Sequence, residues 1–511
     1  MKRNNLTTAL IAGIAGVAGI ASVSTAVNLN SDGTGQLLIY PYYTVNNGLN
    51  TLISVVNTTD KSKAIKVRFL EGKNSRECLD FNLYLSAYDV WTAALIPTTA
   101  TSLFSPGHEG ENTVKLITSD TSCVDPSVIS ATGYEFLPYG YDPGNNGSAA
   151  SGYDEQGLDL QRCTEGHFEM IDMGDITDID TIDGIDHGTT GIPADCSVVV
   201  NNFNPGEIWN TIPISGIDAS SGGIFGSASI VDVAGGTDVA YNADAIDAFT
   251  TIPLITNTGD LLPSLNSGGE LTSNIFYNGT VITDTWNVQP IQAVSAVYMH
   301  DSIFGEYALE DVIGANTEWV VTFPTKNFYV DSFRNVFGAG NNPYQPFTQA
   351  IDDRGIGACE VYTFEYYDRE EQVPDARIAQ RPPSPRPPGV DNGDAVFCWE
   401  TNVVEFNDSD VLSGDSLILG SKNTTHFITA NTPAQAATAT TPAVSPTYFD
   451  TGWVAMHFAQ STNDNGTGNV YDGLPVTGFA TQRYVNANLT GGILANYAGL
   501  FAHRYSRSIH N

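Results

Sequence analysis

Residues 36–96 read QLLIYPYYTVNNGLNTLISVVNTTDKSKAIKVRFLEGKNSRECLDFNLYLSAYDVWTAALI, and this stretch decides the fold class. Apolar and polar residues alternate in short runs, a period typical of β-strands with one buried and one solvated face. Ile65, Val67 and Phe69, for example, alternate with Lys66 and Arg68. Turn-forming residues separate five such runs, which predicts an immunoglobulin-like β-sandwich.

Short strand-like runs of the same kind recur up to the C-terminus. We therefore predict an all-β protein: an immunoglobulin-like β-sandwich with an acidic loop insertion at residues 27–267, followed by a second β-sandwich domain at residues 268–511. Long irregular loops are expected, among them a Pro-rich tract at residues 381–388. We also predict a short helix at residues 242–249 and a strand at residues 294–300.

The N-terminus has the three parts of a cleavable secretory signal. Lys2 and Arg3 precede an uncharged apolar run, and Ser24 and Ala26 place small residues at the −3 and −1 positions of a cleavage site. We predict that residues 1–26 are a signal peptide and that the mature protein is secreted or held at the cell surface. No later stretch is long and apolar enough to span a bilayer as a helix, so no transmembrane segment is expected after signal removal.

Six cysteines are spread along the chain: Cys78, Cys123, Cys163, Cys196, Cys359 and Cys398. Their even number and wide spacing in an exported chain predict three disulfides rather than a metal site. We predict the pair Cys359–Cys398, because each lies in a strand-like run with the Pro-rich loop between them. The other four allow three pairings, of which we favour Cys78 with Cys163 and Cys123 with Cys196.

The chain is strongly acidic, with a formal net charge of −36. No Lys or Arg occurs between Arg162 and Lys326. Such a surface repels phosphate backbones and anionic lipid headgroups, so nucleic acid is excluded as a partner and lipid binding is disfavoured. We interpret the acidity as a solvated surface suited to an extracellular medium.

An Asp-rich stretch is the sharpest candidate for a site. Its members recur every two or three residues: Asp172, Asp175, Asp178, Asp180, Asp183 and Asp186. Flexible Asp/Gly loops supply the oxygen ligands that Ca²⁺ prefers, so one hypothesis is a loop ordered by Ca²⁺. The simpler interpretation, which we favour, is a solvated acidic loop. No other cofactor is expected.

A Gly/Asn/Pro-rich segment carries the second candidate, a set of aromatic residues: Tyr134, Phe136, Tyr139, Tyr141 and Tyr153. Exposed rings on loops can stack on sugars or join subunits. The plainer interpretation is that the rings fold back over the sandwich, and we favour it.

Catalytic motifs are missing from the sequence. It contains no GxSxG elbow, HExxH motif, P-loop or dinucleotide-binding glycine pattern. His167 with Glu169, and His300 with Asp301, are local pairs of the kind that chance produces. We therefore predict that the protein is not an enzyme.

Three segments resemble a group of uncharacterised secreted or cell-surface proteins of proteobacteria. They are residues 37–94, the string EWVVTFPTKNFYV at residues 318–330, and the final segment around Asn496 to Arg507. The resemblance implies a bacterial exported protein and carries no catalytic residues.

The leading hypothesis is thus a non-enzymatic structural protein of the extracellular space or cell surface that self-associates. Unpaired edge strands and aromatic loops are features through which copies of a chain can meet. The alternative is an adhesin or carbohydrate-binding module whose partner is a surface polysaccharide. A third hypothesis is a secreted hydrolase whose catalytic carboxylates are distant in the sequence.

Overall fold

The structure, a computed structural model, describes residues 26–127, 129, 132–138, 140–142, 157–211, 215–332, 334–338, 343–351, 357–375, 395–409, 412, 414–438, 441–489 and 493–511. These residues form an all-β protein of mostly antiparallel sheets with a few short helices, which confirms the predicted fold class. Its immunoglobulin-like detail stays a prediction. Apart from Ala26, the predicted signal peptide lies outside the described residues, as does the Pro-rich tract.

Fourteen strands are described in the first half of the chain. They are β1 (Asn28–Leu29), β2 (Leu37–Thr44), β3 (Asn50–Asn57), β4 (Ser62–Glu71), β5 (Glu77–Leu85), β6 (Val90–Thr99), β7 (Asn112–Ile117), β8 (Cys123–Asp125), β9 (Tyr134–Glu135), β10 (Glu165–Ile176), β11 (Ile217–Asp218), β12 (Ile224–Asp232), β13 (Thr237–Asn242) and β14 (Asp244–Asp247). Short helices α1 (Ile179–Ile185), α2 (Ser197–Asn201) and α3 (Ile208–Thr211) lie between β10 and β11.

Two sheets make up this half. The first has the order β1-β14-β2-β10-β4-β5-β8, with β11 paired to β10, and the second has the order β13-β12-β3-β6-β7-β9. Buried apolar residues of both sheets, such as Phe69 and Phe168 from the first and Trp91 and Ile230 from the second, belong to one cluster. The two sheets therefore enclose a common core and form a β-sandwich.

Nineteen further strands are described in the second half. They are β15 (Thr272–Tyr277), β16 (Thr280–Thr285), β17 (Met299–His300), β18 (Ser302–Ala308), β19 (Ala315–Thr322), β20 (Glu360–Asp368), β21 (Ala395–Phe397), β22 (Thr401–Asn407), β23 (Thr424–Ile428), β24 (Ala430–Thr432), β25 (Thr447–Tyr448), β26 (Thr451–Phe458), β27 (Ser461–Thr462), β28 (Val470–Asp472), β29 (Leu474–Pro475), β30 (Thr477–Leu489), β31 (Ile493–Ala502), β32 (Arg504–Ser506) and β33 (Ile509–His510). The helices are α4 (Pro290–Tyr298) and α5 (Asn327–Val330), and no helix of the described chain has the length and hydropathy needed to cross a bilayer.

The largest sheets of the second half have five strands each, in the orders β21-β20-β26-β18-β32 and β23-β22-β19-β30-β31. All paired strands belong to the same half of the chain, yet the apolar cores cross between the halves. Leu37 and Ile171 of the first half belong to the core of the second, and Val320 and Phe479 of the second half belong to the core of the first. Side-chain packing joins the two halves, together with a short backbone bridge in which Val27 pairs with Ser273 of β15.

The face of β4 that carries Lys66 and Arg68 is buried, so the prediction that this face is solvated was wrong. Lys66 is 0% exposed and Arg68 3% exposed. Lys66 forms an ion pair with Asp80, and Arg68 forms ion pairs with Glu169 and, at 2.8 Å, with Glu77. The neighbouring strands β5 and β10 supply these carboxylates, which makes burial of the charges tolerable because each is paired.

Two predicted elements were of the wrong type. Residues 242–249 contain the end of β13 and all of β14, which pairs with β2. Residues 294–300 belong mainly to α4 rather than to a strand. Pro290 is the first residue of this helix, and Gln292 Oε1 accepts the backbone N–H of Gln289 at 2.9 Å. A short, mainly apolar run is compatible with either element, and these two terminal features decide for the helix.

Candidate functional site

The six aspartates of the acidic stretch have different roles and do not converge. Asp172 and Asp175 are buried on β10, whereas Asp180, Asp183 and Asp186 are exposed on or after α1. Asp178 caps α1 by accepting the N–H of Thr181 at 2.9 Å. Within the described ranges, no group of three or more His, Cys, Asp or Glu side chains is arranged to hold a metal ion.

The two buried aspartates, Asp172 and Asp175, form ion pairs with Lys63. Its Nζ lies 2.9 Å from Asp172 and 2.7 Å from Asp175, and the Ser220 hydroxyl donates to Asp172 at 2.6 Å. Burial raises the pKa of Asp172, although the Lys63 ammonium opposes that effect. A buried, paired cluster of this kind is structural, since a carboxylate already bound to an ammonium is a poor cation ligand.

Three disulfides are present: Cys78–Cys163, Cys123–Cys196 and Cys359–Cys398. These are the pairs favoured from the sequence. The first ties β5 to the segment before β10, and the second ties β8 to the start of α2. The third joins the residue before β20 to the residue after β21, at the end of this strand pair opposite its connecting loop.

The aromatic set of the Gly/Asn/Pro-rich segment is folded inwards where the structure describes it. Phe136 and Tyr141 are 0% exposed, and Tyr134 is half-buried. The Tyr141 ring lies 4.4 Å from the Arg162 guanidinium, and its hydroxyl donates to the Asp159 carbonyl at 3.1 Å. Phe136 and Tyr141 are therefore unavailable to a sugar. Tyr139 and Tyr153 lie outside the described residues.

Neither local histidine pair is built as an acid–base pair. His167 is buried, and burial lowers its pKa to about 4, while Glu169 is bound to Arg68. Burial also lowers the pKa of His300, to about 3, and its Nδ1 faces the carbonyl of Val476 at 3.2 Å. Both imidazoles are thus held neutral inside the protein, where they fill space rather than exchange protons.

Two buried carboxylates of the second half, Glu400 and Glu318, have strongly raised pKa values, and Glu400 also contacts the first half. Glu400 accepts the hydroxyl of Ser75 from the first half, and burial raises its pKa to about 8. Burial also raises the pKa of Glu318, to about 7; it accepts the N–H groups of Ile418 and Leu419, at 2.6 and 3.0 Å. These groups are structural, and they make stability dependent on pH.

The outer face of the sheet β13-β12-β3-β6-β7 has a central patch without charged residues. We call it the uncharged face, and its members are Leu52, Ser54, Val56, Val90, Thr92, Ala94, Ile117, Phe225, Ser227, Ser229 and Ala240. Not one of them is charged, in a chain whose formal charge is −36. Charged residues occur at its rim, as with Lys115, Asp120 and Asp238.

Strand register arranges the uncharged face in rows of different size. Phe225, Val56 and Val90 stand side by side in one row. The next rows are made mainly of Ser, Thr and Ala, and they form the floor of an open cavity of about 610 Å³. Leu52 and Ile117, 45% and 37% exposed, border that floor. The face therefore presents an apolar ridge beside a shallow trough.

An acidic hollow of about 490 Å³ lies in the second half, lined by Glu310, Asp311, Asp368, Glu370, Asp408 and Asp450 together with Arg369. The Arg369 guanidinium contacts Glu310 at 3.0 Å and Glu370 at 2.8 Å. Burial, followed by the charges of Asp311 and Asp450, raises the pKa of Asp408. The hollow gathers carboxylates from four distant segments, which no sequence window could reveal.

A third cavity, of about 360 Å³, is named here the aromatic groove. It opens beyond the point at which β32 stops pairing with β18, because that pairing covers only residues 302–304 of β18. Its walls carry two aromatic and four polar side chains: Phe304, Glu306, Gln482, Phe501, His503 and Arg504.

Several polar side chains of the aromatic groove make few hydrogen bonds or ion pairs with other described residues. The His503 ring donates Nε2–H to the carbonyl of Val320 at 2.8 Å, and its Nδ1 has no hydrogen-bond partner among the described residues. Burial lowers the pKa of His503 to about 4, so Nδ1 carries a lone pair at neutral pH. Glu306 and Arg504 form no ion pair with any residue that the structure describes.

No sequence pattern predicts the uncharged face or the aromatic groove as a binding site. Each set comes from strands that are distant in the chain, so only the pairing of those strands brings its members together. Comparison of the chain with protein-family models, with curated proteins and with solved structures finds no match in any of the three.

Proposed function

We propose that this protein is an exported, non-enzymatic structural protein of the extracellular space or cell surface, and that its copies associate through the uncharged face. The single observation that carries the proposal is the absence of charge from eleven outward residues of this face. The three disulfides support an extracellular setting, because such bonds persist in oxidising compartments.

The net charge of the protein favours a second copy of the same chain as the partner of the uncharged face. Two molecules that each carry −36 repel wherever their acidic surfaces approach. Contact through the uncharged face keeps the carboxylates of both copies at the rim, where salt screens them beyond about 8 Å. Neither a polycation nor a polyanion would gain from a face without charge.

The shape of the face supports a self-complementary contact. In a two-fold dimer the same patch is used by both copies, so the ridge of one can lie in the trough of the other. Phe225 and Val90 of the ridge, 41% and 45% exposed, would then pack over the Ser and Ala floor of the partner. Burial of these apolar side chains is the driving force.

The contact is small, so the association is expected to be weak. With strands about 4.8 Å apart and outward residues about 6.7 Å apart along each strand, the face spans roughly 20 by 15–20 Å. That is roughly 300–400 Å² per copy, below the about 800 Å² per partner of a standard stable interface. A protein packed at high local density on a surface can still use such a contact.

Light scattering and sedimentation of the mature protein test the proposal, from about 10 to about 500 µM, the range that a weak interface requires. The mass should rise with concentration, and more steeply at about 0.5 M than at about 0.05 M NaCl, because salt screens the repulsion. Ser227→Glu, at the centre of the uncharged face, should abolish the rise. Thr363→Glu adds the same charge on an exposed position of β20 and should not.

A protein that stays monomeric at every concentration and salt would overturn the proposed self-association. So would a Ser227→Glu variant that associates like the wild type, since a carboxylate in the middle of the contact must be expelled or buried unpaired.

A further inference from the structure

We propose that the aromatic groove binds an uncharged saccharide unit. The inference goes beyond self-association, because the groove is formed by residues 304–306, 480, 482 and 500–504 and shares none with the uncharged face. Four features support it: the size of the cavity, its aromatic rings, its hydrogen-bonding side chains and its balance of charge.

The size of the groove and its exposed ring suit a small ligand. A volume of about 360 Å³ lies in the range of small-ligand sites. Phe501 is 55% exposed, although it is large and apolar, and Phe304 lines the same cavity. An exposed ring of this kind offers a flat apolar surface on which the C–H face of a pyranose can pack, much as other apolar groups pack on aromatic rings.

The polar side chains match the hydroxyl groups of a sugar. A hydroxyl both donates and accepts, so a site for it needs acceptors and donors together. Glu306 is an acceptor, whereas Arg504 is a donor. Gln482 Oε1 already accepts the Tyr484 hydroxyl at 2.8 Å, which leaves the amide N–H₂ of Gln482 to donate.

The charge balance selects a neutral ligand. Glu306 and Arg504 are the charged side chains of the lining and cancel each other, and His503 is neutral. An anionic sugar would gain one arginine contact but meet Glu306 and a molecule of charge −36. A cationic ligand would be opposed by Arg504. An uncharged saccharide satisfies the donors and acceptors without either conflict.

Isothermal titration of the mature protein with oligosaccharides tests the inference. The neutral probes are the hexasaccharides of β-1,4-glucose, α-1,4-glucose, β-1,4-mannose and β-1,4-N-acetylglucosamine, and the anionic probe is an oligogalacturonate of similar length. The variants are Phe501→Ala, which removes the exposed ring, and Glu306→Gln, which removes the charge balance. Tyr497→Ala is the matched control, since Tyr497 is 63% exposed on the same strand but does not line the groove.

At least one neutral probe should bind, and Phe501→Ala should weaken it about tenfold, while Tyr497→Ala leaves affinity unchanged. Glu306→Gln should weaken the neutral probe and improve the relative affinity for oligogalacturonate. Equal effects of Phe501→Ala and Tyr497→Ala, binding of the anionic probe alone, or no binding of any neutral probe would each overturn the inference. Because Phe501 and Tyr497 are both exposed, unchanged melting temperatures serve as the check on folding. None of these results depends on whether the protein self-associates.

Discussion

Glu400→Gln should remove one defined component of the pH dependence of stability of this protein, the part that arises from the Glu400 carboxyl. Glu400 is 1% exposed, and burial raises its pKa from 4.5 to about 8. Between those two values the folded protein holds a proton that the unfolded chain has released. The contribution of Glu400 to the free energy of unfolding therefore falls as pH rises through this window, and it is fully present only below the unfolded pKa of 4.5.

The magnitude follows from the size of the shift. A single group contributes at most about 1.4 kcal/mol per pH unit, so the wild type should lose roughly 3 kcal/mol between about pH 5 and about pH 7.5 from Glu400. Glu318, whose pKa burial raises to about 7, adds a loss of the same sign. The glutamine retains a carbonyl oxygen that can accept the Ser75 hydroxyl, so its main effect is to cancel the proton linkage.

Urea unfolding and thermal melting across this pH range provide the assay. The variant should match the wild type near pH 5 and be more stable by about 2–4 kcal/mol near pH 7.5. Glu207→Gln, at an exposed carboxylate, is the control and should leave the slope unchanged. The buried histidines His167, His300 and His503, with lowered pKa values, make stability rise with pH, so the test is the difference between wild type and variant. A difference that stays constant over this range would refute the reasoning.

Three further results are expected. Asp172→Asn should lower the free energy of unfolding by about 3 kcal/mol, because it removes one of the two carboxylates that neutralise buried Lys63. Asp180→Asn, at the exposed end of the same stretch, should change it by less than about 0.5 kcal/mol. Urea titration measures both values. Replacing Cys123 and Cys196 together by Ser should lower stability by about 2–4 kcal/mol in the same assay, and a change near zero would show that the bond constrains nothing. Because the six aspartates do not converge, millimolar CaCl₂ should leave the melting temperature unchanged, and a clear rise would restore the hypothesis of a calcium-ordered loop.

Much of the fold follows from local patterning. The alternation in residues 36–96 identifies five strands, and they are present as β2 to β6. Side chains on one strand face alternate by geometry, so a period of two in the sequence is enough to find the strand and its apolar face. The disulfide pairs favoured from the sequence also agree with those in the structure.

What covers the other face of a strand is not a local property. Lys66 and Arg68 read as solvated, yet both are buried and paired with carboxylates of β5 and β10. The apolar run of α4 could equally have been a strand, and its ends and packing decided for the helix.

The candidate sites depended wholly on tertiary structure. Asp172 and Asp175 look like cation ligands in the sequence, but folding places Lys63 between them, from a strand about a hundred residues away. Phe304 and Phe501 are far apart in the chain and share one groove. The sequence determined which residues form strands, because that depends on neighbours within the strand. The tertiary structure decided which charges are buried and which surfaces can bind, because those depend on strands that meet only after the chain has folded.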